Sequence, residues 1–374
     1  MMTIPNCKLY TGYKPCEPFK TCRDCRDEVP IGTGILIINL DALGDVLVTT
    51  ATLPAMKRKY PQSIIHWLTK QSAQPLLENN PYLDRVWLWN DESRLILSEM
   101  KFDVLFCADK NQNSCAFVNK IQALEKYGFG CNENGAIIPL NESAEYNYRM
   151  GLEDRLKFKL NERSGQDILA ETFELPFERD EYVLHLSESE EREVEELQNK
   201  YGLRADDFVV GFNTGCAKKF PHKKLTVAQH IDLINRLGRE LPEIKLVLLG
   251  GREDTERNSR IAENVTVNLT STPTEEGLRR GVLFEAMCDL IVSGDSLGMH
   301  IGIALKKLAL AWFGMTSHQE IDLYDRGEKI VSTVHCSPCW SSVCLPGNLE
   351  CIHQLDMDEF LVAIQRIYQR RRNE

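Results

Sequence analysis

The stretch Ile35-Leu-Ile-Ile-Asn-Leu-Asp41-Ala-Leu-Gly44-Asp45-Val46 decides the fold. Four consecutive apolar residues, Ile35 to Ile38, read as a strand buried on both faces. A polar turn containing Gly44 follows, and then a helix-patterned segment that ends near Lys57 to Tyr60. Strand, glycine turn, helix is the unit by which an open parallel sheet delivers a ligand-binding or catalytic loop at its carboxyl edge. Asp45 stands on that turn. The first turn of a helix favours an acid, so from these residues alone Asp45 reads equally as a structural acid and as a functional carboxylate.

The same unit recurs outward from this point. Residues 63–68, 85–89 and 102–107 are strand candidates. Residues 73–78 start a short helix that Asn79-Asn-Pro81 stops, and a helix is expected over 115–124 after the polar Ala108-Asp-Lys-Asn-Gln-Asn113. Residues 146–158 and 164–173 look helical. The charged run from Glu188 reads as a helix at a hinge. A second series then begins, with strands expected at 208–213, 244–249, 265–269 and 308–313, helices at 228–240 and 283–288, and strand, glycine turn, helix again over 290–300. Repeated βα order predicts parallel sheets with right-handed crossovers. The expected class is α/β: two facing Rossmann-like, doubly wound domains, 31–187 and 188–365, with a central cleft. A Cys-rich arm (1–30) precedes them and a basic tail (366–374) follows.

A chain of 374 residues suits about two domains. Hydrophobic content of 43% and charged content of 26% are ordinary for a globular protein. A net charge of −11 argues against non-specific binding to nucleic acid or to an anionic membrane through the whole molecule. The basic Gln369-Arg-Arg-Arg372 is short and reads as a solvated terminus. No run of 18 apolar residues and no signal-peptide pattern occurs, so a cytoplasmic protein without an integral membrane segment is expected.

Thirteen cysteines are unusual for such a chain, and eight of them are clustered. Cys7, Cys16, Cys22 and Cys25 lie in the arm; Cys336, Cys339, Cys344 and Cys351 lie near the end. The other five (Cys107, Cys115, Cys131, Cys216, Cys288) read as buried thiols. In a reducing compartment, two sets of four thiols read as metal sites, since four thiolates suit tetrahedral zinc or iron alike. Both are expected to be structural, because neither lies near a strand end that carries chemistry. They would serve as an acceptor platform or as a contact in a homo-oligomer.

Four loops stand at expected strand ends. Residues 40–46 bring Asp45. Residues 213–224 bring Thr214, Gly215 and four lysines, with Lys223 among them. Residues 293–300 bring Asp295, Ser296 and Gly298 to a helix N-terminus, a natural anion seat; His300 reads as a helix residue packed beneath that loop. Residues 314–317 bring a glycine and two hydroxyls. None is a dinucleotide-binding or P-loop pattern. Together they suit group transfer from an activated diphosphate donor, with a carboxylate as base and cations on the leaving group. A second reading is a non-catalytic scaffold of this fold that holds a partner through its thiol clusters.

Several motifs in order resemble glycosyltransferase family 9, which includes ADP-heptose heptosyltransferases of lipopolysaccharide core assembly. They are residues 35–46, Leu53-Pro-Ala-Met-Lys-Arg-Lys-Tyr-Pro61, Asn79-Asn-Pro-Tyr-Leu-Asp-Arg-Val86, Val292-Ser-Gly-Asp-Ser-Leu-Gly-Met-His300 and Trp312-Phe-Gly-Met-Thr-Ser317. The resemblance spans about 33–365. It implies a GT-B fold and inverting transfer of a sugar, heptose foremost, from a nucleotide-diphosphate sugar, ADP-heptose foremost. The acceptor would be a hydroxyl of a lipopolysaccharide core sugar or of a protein, with peripheral contact at the inner membrane and no cofactor for the chemistry. It also implies Asp45 as base, Lys223 with Thr214 and Gly215 at the phosphates, and Asp295, Ser296, Gly298 and His300 at the donor diphosphate. An acid within 253–256, taken as Glu256, would lie near the nucleoside. The late cysteine set is similar to the iron-bound finger of bacterial autotransporter heptosyltransferases. Two departures stand out. Asp41-Ala42 replaces a Ser pair, placing a second acid near the base, where repulsion would raise a pKa. The phosphate loop reads Asp-Ser-Leu-Gly in place of Asp-Thr-Gly.

Overall fold

The computed structural model describes residues 4–23, 25–218 and 220–373. The described residues form two six-stranded sheets. The first holds β1 (Thr33–Ile38), β2 (Ser63–Thr69), β3 (Arg85–Leu88), β4 (Lys101–Cys107), β5 (Gln122–Cys131) and β6 (Ile137–Pro139). The second holds β7 (Val209–Asn213), β8 (Lys245–Leu249), β9 (Thr270–Ser271), β10 (Leu290–Gly294), β11 (Leu308–Phe313) and β12 (Gly327–Val331). Spatial orders are β3-β2-β1-β4-β5-β6 and β9-β8-β7-β10-β11-β12. Each is a doubly wound order whose direction reverses between the first and fourth strands, β1/β4 and β7/β10. The crevice for a ligand opens at that switch point. All pairings are parallel except β5 with β6.

Burial explains the central strands. Ile35 to Ile38 are all at 0% exposure, sandwiched between helices on both faces. Each such side chain contributes about 1.5–3 kcal/mol relative to exposure. Behind the cleft the two halves share a core. Leu47 and Val48, on the helix Leu43–Thr50, pack with Met299, Ile301 and Ile303 of the helix Leu297–Ala304.

Several expectations need correction. The helix expected over 115–124 is Gln112–Val118, capped by Asn111, and the chain then turns into β5. Leu124, whose apolar side suggested a helix face, is 83% exposed. No strand forms over 265–269; its partly buried Val265, Val267 and Leu269 pack on the second core, and only Thr270–Ser271 pair with β8. β12 carried no signal in its sequence. The charged helix Glu188–Lys200 packs on Leu278–Ala286, with Arg279 and Arg280 paired to Glu190 and Glu193, while Glu190 also accepts from Asn79 of the first half, so the helix touches both halves as a hinge segment would. The basic tail continues the helix Met357–Asn373, since Ile367 and Tyr368 are buried. Among the described residues no helix is long and apolar enough to cross a membrane.

Candidate active site

At the switch point of the first sheet, the loop after β4 holds the loop after β1. Asp109 is buried, and Oδ2 accepts from the Leu40 N–H and the Ser114 hydroxyl, each at 2.5 Å. Its Oδ1 accepts from Asn39 Nδ2 at 2.7 Å and from the Asp41 N–H at 3.4 Å. These bonds fix residues 39–41, which lead straight into the helix carrying Asp45 in its first turn. By surface area Asp45 is exposed, at the open side of the cleft, yet enough protein crowds its carboxyl to cost it solvation. Lost solvation pushes Asp45 up to about 6, with the charges of Asp109, Asp295 and Asp41 adding and Lys223 opposing. Burial and like charge both disfavour the ionised form. Asp41 is the smallest of these causes. Its own carboxylate accepts from Asn111 at 2.6 Å and pairs with Lys70 at 3.7 Å.

The second sheet presents the opposite chemistry. Lys223 closes the short turn Pro221–Lys223, whose carbonyl accepts from Trp312 Nε1 at 3.0 Å. A side chain at Gly294 would sit 2.5 Å from that carbonyl oxygen, so the end of β10 must be bare there. Lys223 Nζ lies 2.9 Å from Asp295 Oδ2. Burial alone would raise Asp295, but Lys223, His300 and a hydrogen bond from Thr316 hold it below the usual carboxylate range. His300 is buried, with Nε2 3.8 Å from Asp295 and its ring stacked on Tyr182 at 6.0 Å. Burial pushes His300 down to about 4, so its ring is neutral at pH 7. A Cβ on Gly44 would lie 2.7 Å from this ring; the glycine of the turn that carries Asp45 admits a side chain from the other half. His300 is thus both a packed residue beneath its loop and a wall of the site.

The remaining expected residues divide. Ser296 leads into Leu297–Ala304 without capping it, and its hydroxyl accepts from Asn213 Nδ2 at 2.9 Å. Gly298 is bare because Asn213 fills its Cβ position, 2.4 Å from Asn213 Cγ. Thr214 spends its hydroxyl on Asn258 at 2.5 Å. Gly215 is bare because Asp254 lies against it, 2.1 Å from where a Cβ would be. In the acidic 253–256 loop, Asp254 is the buried acid, paired with Lys224 at 2.9 Å, whereas Glu256 is exposed on the first turn of Thr255–Asn264. Lys218 is exposed and pairs with Glu253; Lys219 lies outside the described residues.

Among known proteins, the family model described as glycosyltransferase family 9 (heptosyltransferase) matches residues 96–349. The chain belongs to this family. It is a glycosyltransferase. Lipopolysaccharide heptosyltransferase 1 of Campylobacter coli is 24% identical over 89% of the chain and 98% of that protein. A family 9 glycosyltransferase of Veillonella parvula has a TM-score of 0.71 at 18% identity, over 90% of this chain and 97% of that one. The ADP-heptose lps heptosyltransferase II of E. coli has a TM-score of 0.62 at 19% identity, over 87% and 99%. These likenesses carry the fold.

Two family-independent features were missed in the sequence. One is Asp109, which stands on the expected polar loop but was assigned no role. The other is a pair of lysines, Lys110 and Lys157, on the same half as Asp45, the first of them within reach of its charge. Lys157 lies on the π-helical turn Leu156–Leu160, 3.5 Å from Glu320, and its Nζ sits 4.1 Å from the centroid of the Trp340 ring. Lys110 donates to the carbonyl and side-chain oxygens of Asn147 and borders a cavity of about 360 Å³ that Gln112, Ile137, Tyr148 and Leu152 also line. Lost solvation and the charge of Lys157 bring Lys110 down to about 8. A separate cavity of about 810 Å³ lies at the amino ends of β1 and β4, beside Thr33 and Asp103, on the sheet edge away from Asp45.

The cysteine clusters sit at opposite ends of this geography. In the arm, Cys7 bridges to Pro30, Lys8 pairs with Asp84 at 2.6 Å, and Arg85 donates to the Tyr10 carbonyl. Asp84 and Arg85 mark the amino end of β3, far from the catalytic edge. The expectation that the late cluster lies away from the chemistry is corrected. Its Cys339 and Trp340 N–H groups bond to Met315, just past β11, because a bare Gly314 admits Cys351 and Ile352. Within each set the sulfurs feel one another. Burial pushes Cys22 up, with Cys16, Cys25 and Cys7 adding, and pushes Cys351 up to about 11, with Cys339, Cys336 and Cys344 adding. Among the described residues, no three or more metal-binding side chains are drawn close enough to enclose an ion, and the cysteines are free thiols.

Proposed function

We propose that the enzyme transfers heptose from ADP-heptose, with inversion, to a hydroxyl of a lipopolysaccharide core sugar. The observation that carries this reading is a carboxylate raised to about 6 in a cleft that also holds the Lys223–Asp295 pair. A base poised near operating pH removes a hydroxyl proton as the oxygen attacks. Asp45 takes the acceptor proton while the acceptor oxygen bonds to the anomeric carbon. The bond from that carbon to the diphosphate breaks, and ADP leaves with the electron pair. Lys223 and the uncapped amides at Ser296–Gly298 receive the charge that grows on the diphosphate. The cavity beside Lys110 is the approach for the acceptor. A protein hydroxyl as acceptor is a second reading, favoured by the finger-like spacing of the late cysteines.

Asp45→Asn is expected to bind ADP as the wild type does and to lose transfer by at least about a thousandfold. Wild-type turnover in that variant would remove Asp45 from the mechanism. A thermal-shift panel of ADP-, GDP- and UDP-sugars checks the donor, with the largest shift expected for an ADP-sugar.

Each thiol set is further proposed to hold one zinc or iron. Four thiols per set, with Cys22 and Cys351 each feeling the charge of its three neighbours, would supply as thiolates the donor chemistry such an ion takes. The ion would knit a loop that has little regular structure of its own. Elemental analysis of anaerobically purified protein should return two metals per chain; fewer than one would sink the two-site reading.

A further inference from the structure

The loop of residues 336–351 lies across the cleft and touches both halves. On the second half it bonds through Cys339 and Trp340 to Met315 and through the Ser337 hydroxyl to the Gly314 carbonyl. On the first half, Lys159 Nζ reaches the Ser337 carbonyl at 3.5 Å, and Lys157 lies on the Trp340 ring. The same ring receives Lys223, whose Nζ is 5.3 Å from its centroid, and it packs at 5.8 Å against Phe220 beside that lysine. One indole therefore holds a cation from each half. Glu320 and Asp295 each neutralise one of the two lysines.

We propose that Trp340 is a positioning residue for the donor diphosphate: the 336–351 loop is a strap over the cleft, and its indole presents Lys223 to the phosphates while tying that lysine to Lys157 of the other half. A lysine is a point charge on a flexible stem. When a diphosphate draws Lys223 from Asp295, the aromatic face on its other side limits where the ammonium can go, because a cation gains by staying over the ring. Trp340 is 40% exposed with Lys157, Lys223 and Phe220 about its ring, and its backbone takes φ +51, a region bulky residues avoid. Such a conformation persists where surrounding bonds impose it, here through Met315. Of the five tryptophans, Trp67 and Trp312 are at or below 2% exposure and Trp87 and Trp89 are half-buried in the first half, but Trp312 bonds to the Lys223 carbonyl, so the share of an ADP-dependent emission change that belongs to Trp340 is the share its replacement removes.

The inference rests on the donor reading above, and the test separates the two. Wild-type enzyme is titrated with ADP, GDP and UDP by calorimetry and by tryptophan emission. Trp340→Ala should raise the ADP Kd and the donor KM about tenfold. Trp340→Phe, which keeps an aromatic face, should recover most of that loss yet diminish the emission change, leaving what Trp312 beside Lys223 contributes. Lys157→Gln, on the far half, should weaken ADP about threefold and blunt the emission change of the wild-type indole. Wild-type ADP affinity in Trp340→Ala, an equal loss in the Phe and Ala variants, or an undiminished emission change in Trp340→Phe would overturn the strap alone. If Trp340→Ala does not fold, wild-type ADP affinity in Lys157→Gln overturns it. A wild-type enzyme that binds none of the three nucleotides overturns the donor reading and the strap with it.

Discussion

Asp109 and Asp295 occupy the same place in the two sheets. Each follows the fourth strand, and each reaches across the switch point to hold the loop that follows the first strand. They hold different things. Asp109 grips main-chain and side-chain donors at residues 39–41, and burial pushes its carboxyl up despite those hydrogen bonds. Asp295 grips the ammonium of Lys223 and sits below the usual range. The difference between an amide and an ammonium as partner sets the character of each half. In the first half the tie adds a second negative charge near Asp45 and helps make it a base. In the second it delivers a cation to the crevice. One architectural device thus leaves a carboxyl of raised pKa on one wall and an ammonium on the other, the pair of groups that the proposed transfer uses.

The largest expected effect comes from erasing that difference. Lys223→Met leaves Asp295 buried without its cation, and donor kcat/KM should fall about 10²–10³-fold. Breaking a buried pair by removing one partner also leaves an uncompensated charge. The variant should therefore melt lower than wild type, and adding Asp295→Asn should restore the melting temperature without restoring activity. A double variant no more stable than Lys223→Met would show that the pair is not the tie.

The corresponding change in the first half should be milder and of another kind. Wild-type kcat/KM should fall about tenfold per pH unit below about 6, because Asp45 must be ionised to accept a proton and its carboxyl sits near 6. Asp109→Asn removes the second-largest cause of that shift and leaves desolvation in place. The acid limb should move to lower pH. An amide also turns one acceptor of the Leu40 N–H or Ser114 hydroxyl into a donor, so the loop should lose order and kcat should drop about 10-fold to 10²-fold. A lower kcat with an unmoved acid limb would leave Asp109 as a purely mechanical support.

How much of this was legible in the sequence follows from the range of each signal. β1, β7 and β10 are buried on both faces, so each announces itself as an apolar run, and Asp45 and Asp295 are visible as acids on the polar turns just past such runs. β5 and β12 lie toward sheet edges, where exposure on one side permits Gln122, Glu125 and Lys329, and no run forms. The glycines were legible as turns, but not for their main work. Gly44, Gly215 and Gly298 are bare because His300, Asp254 and Asn213 fill their space, and those partners are distant in the chain. Asp109 sits some 70 positions from the backbone it holds. Trp340 looked like one more residue between cysteines, because what it touches is set by where the 336–351 loop docks. Local patterns pick out acids and lysines on the polar turns past apolar runs; they do not pick out the parts whose meaning lies wholly in a partner elsewhere.

The smallest effect concerns the acid that the sequence made conspicuous. Asp41 stands four residues before Asp45, and its charge was expected to disturb the base. In the structure its carboxylate is turned to Asn111 and Lys70, its side chain is 44% exposed, and it contributes least among the causes acting on Asp45. Charges that water reaches are well screened from one another. Asp41→Asn should therefore leave kcat within about twofold of wild type and move the acid limb by less than about 0.3 pH units at physiological salt. Asp109→Asn, though farther along the chain from Asp45, should move it more. Reversal of that order in paired pH–rate profiles would mean that sequence proximity, and not the buried tie across the switch point, sets the pKa of the base.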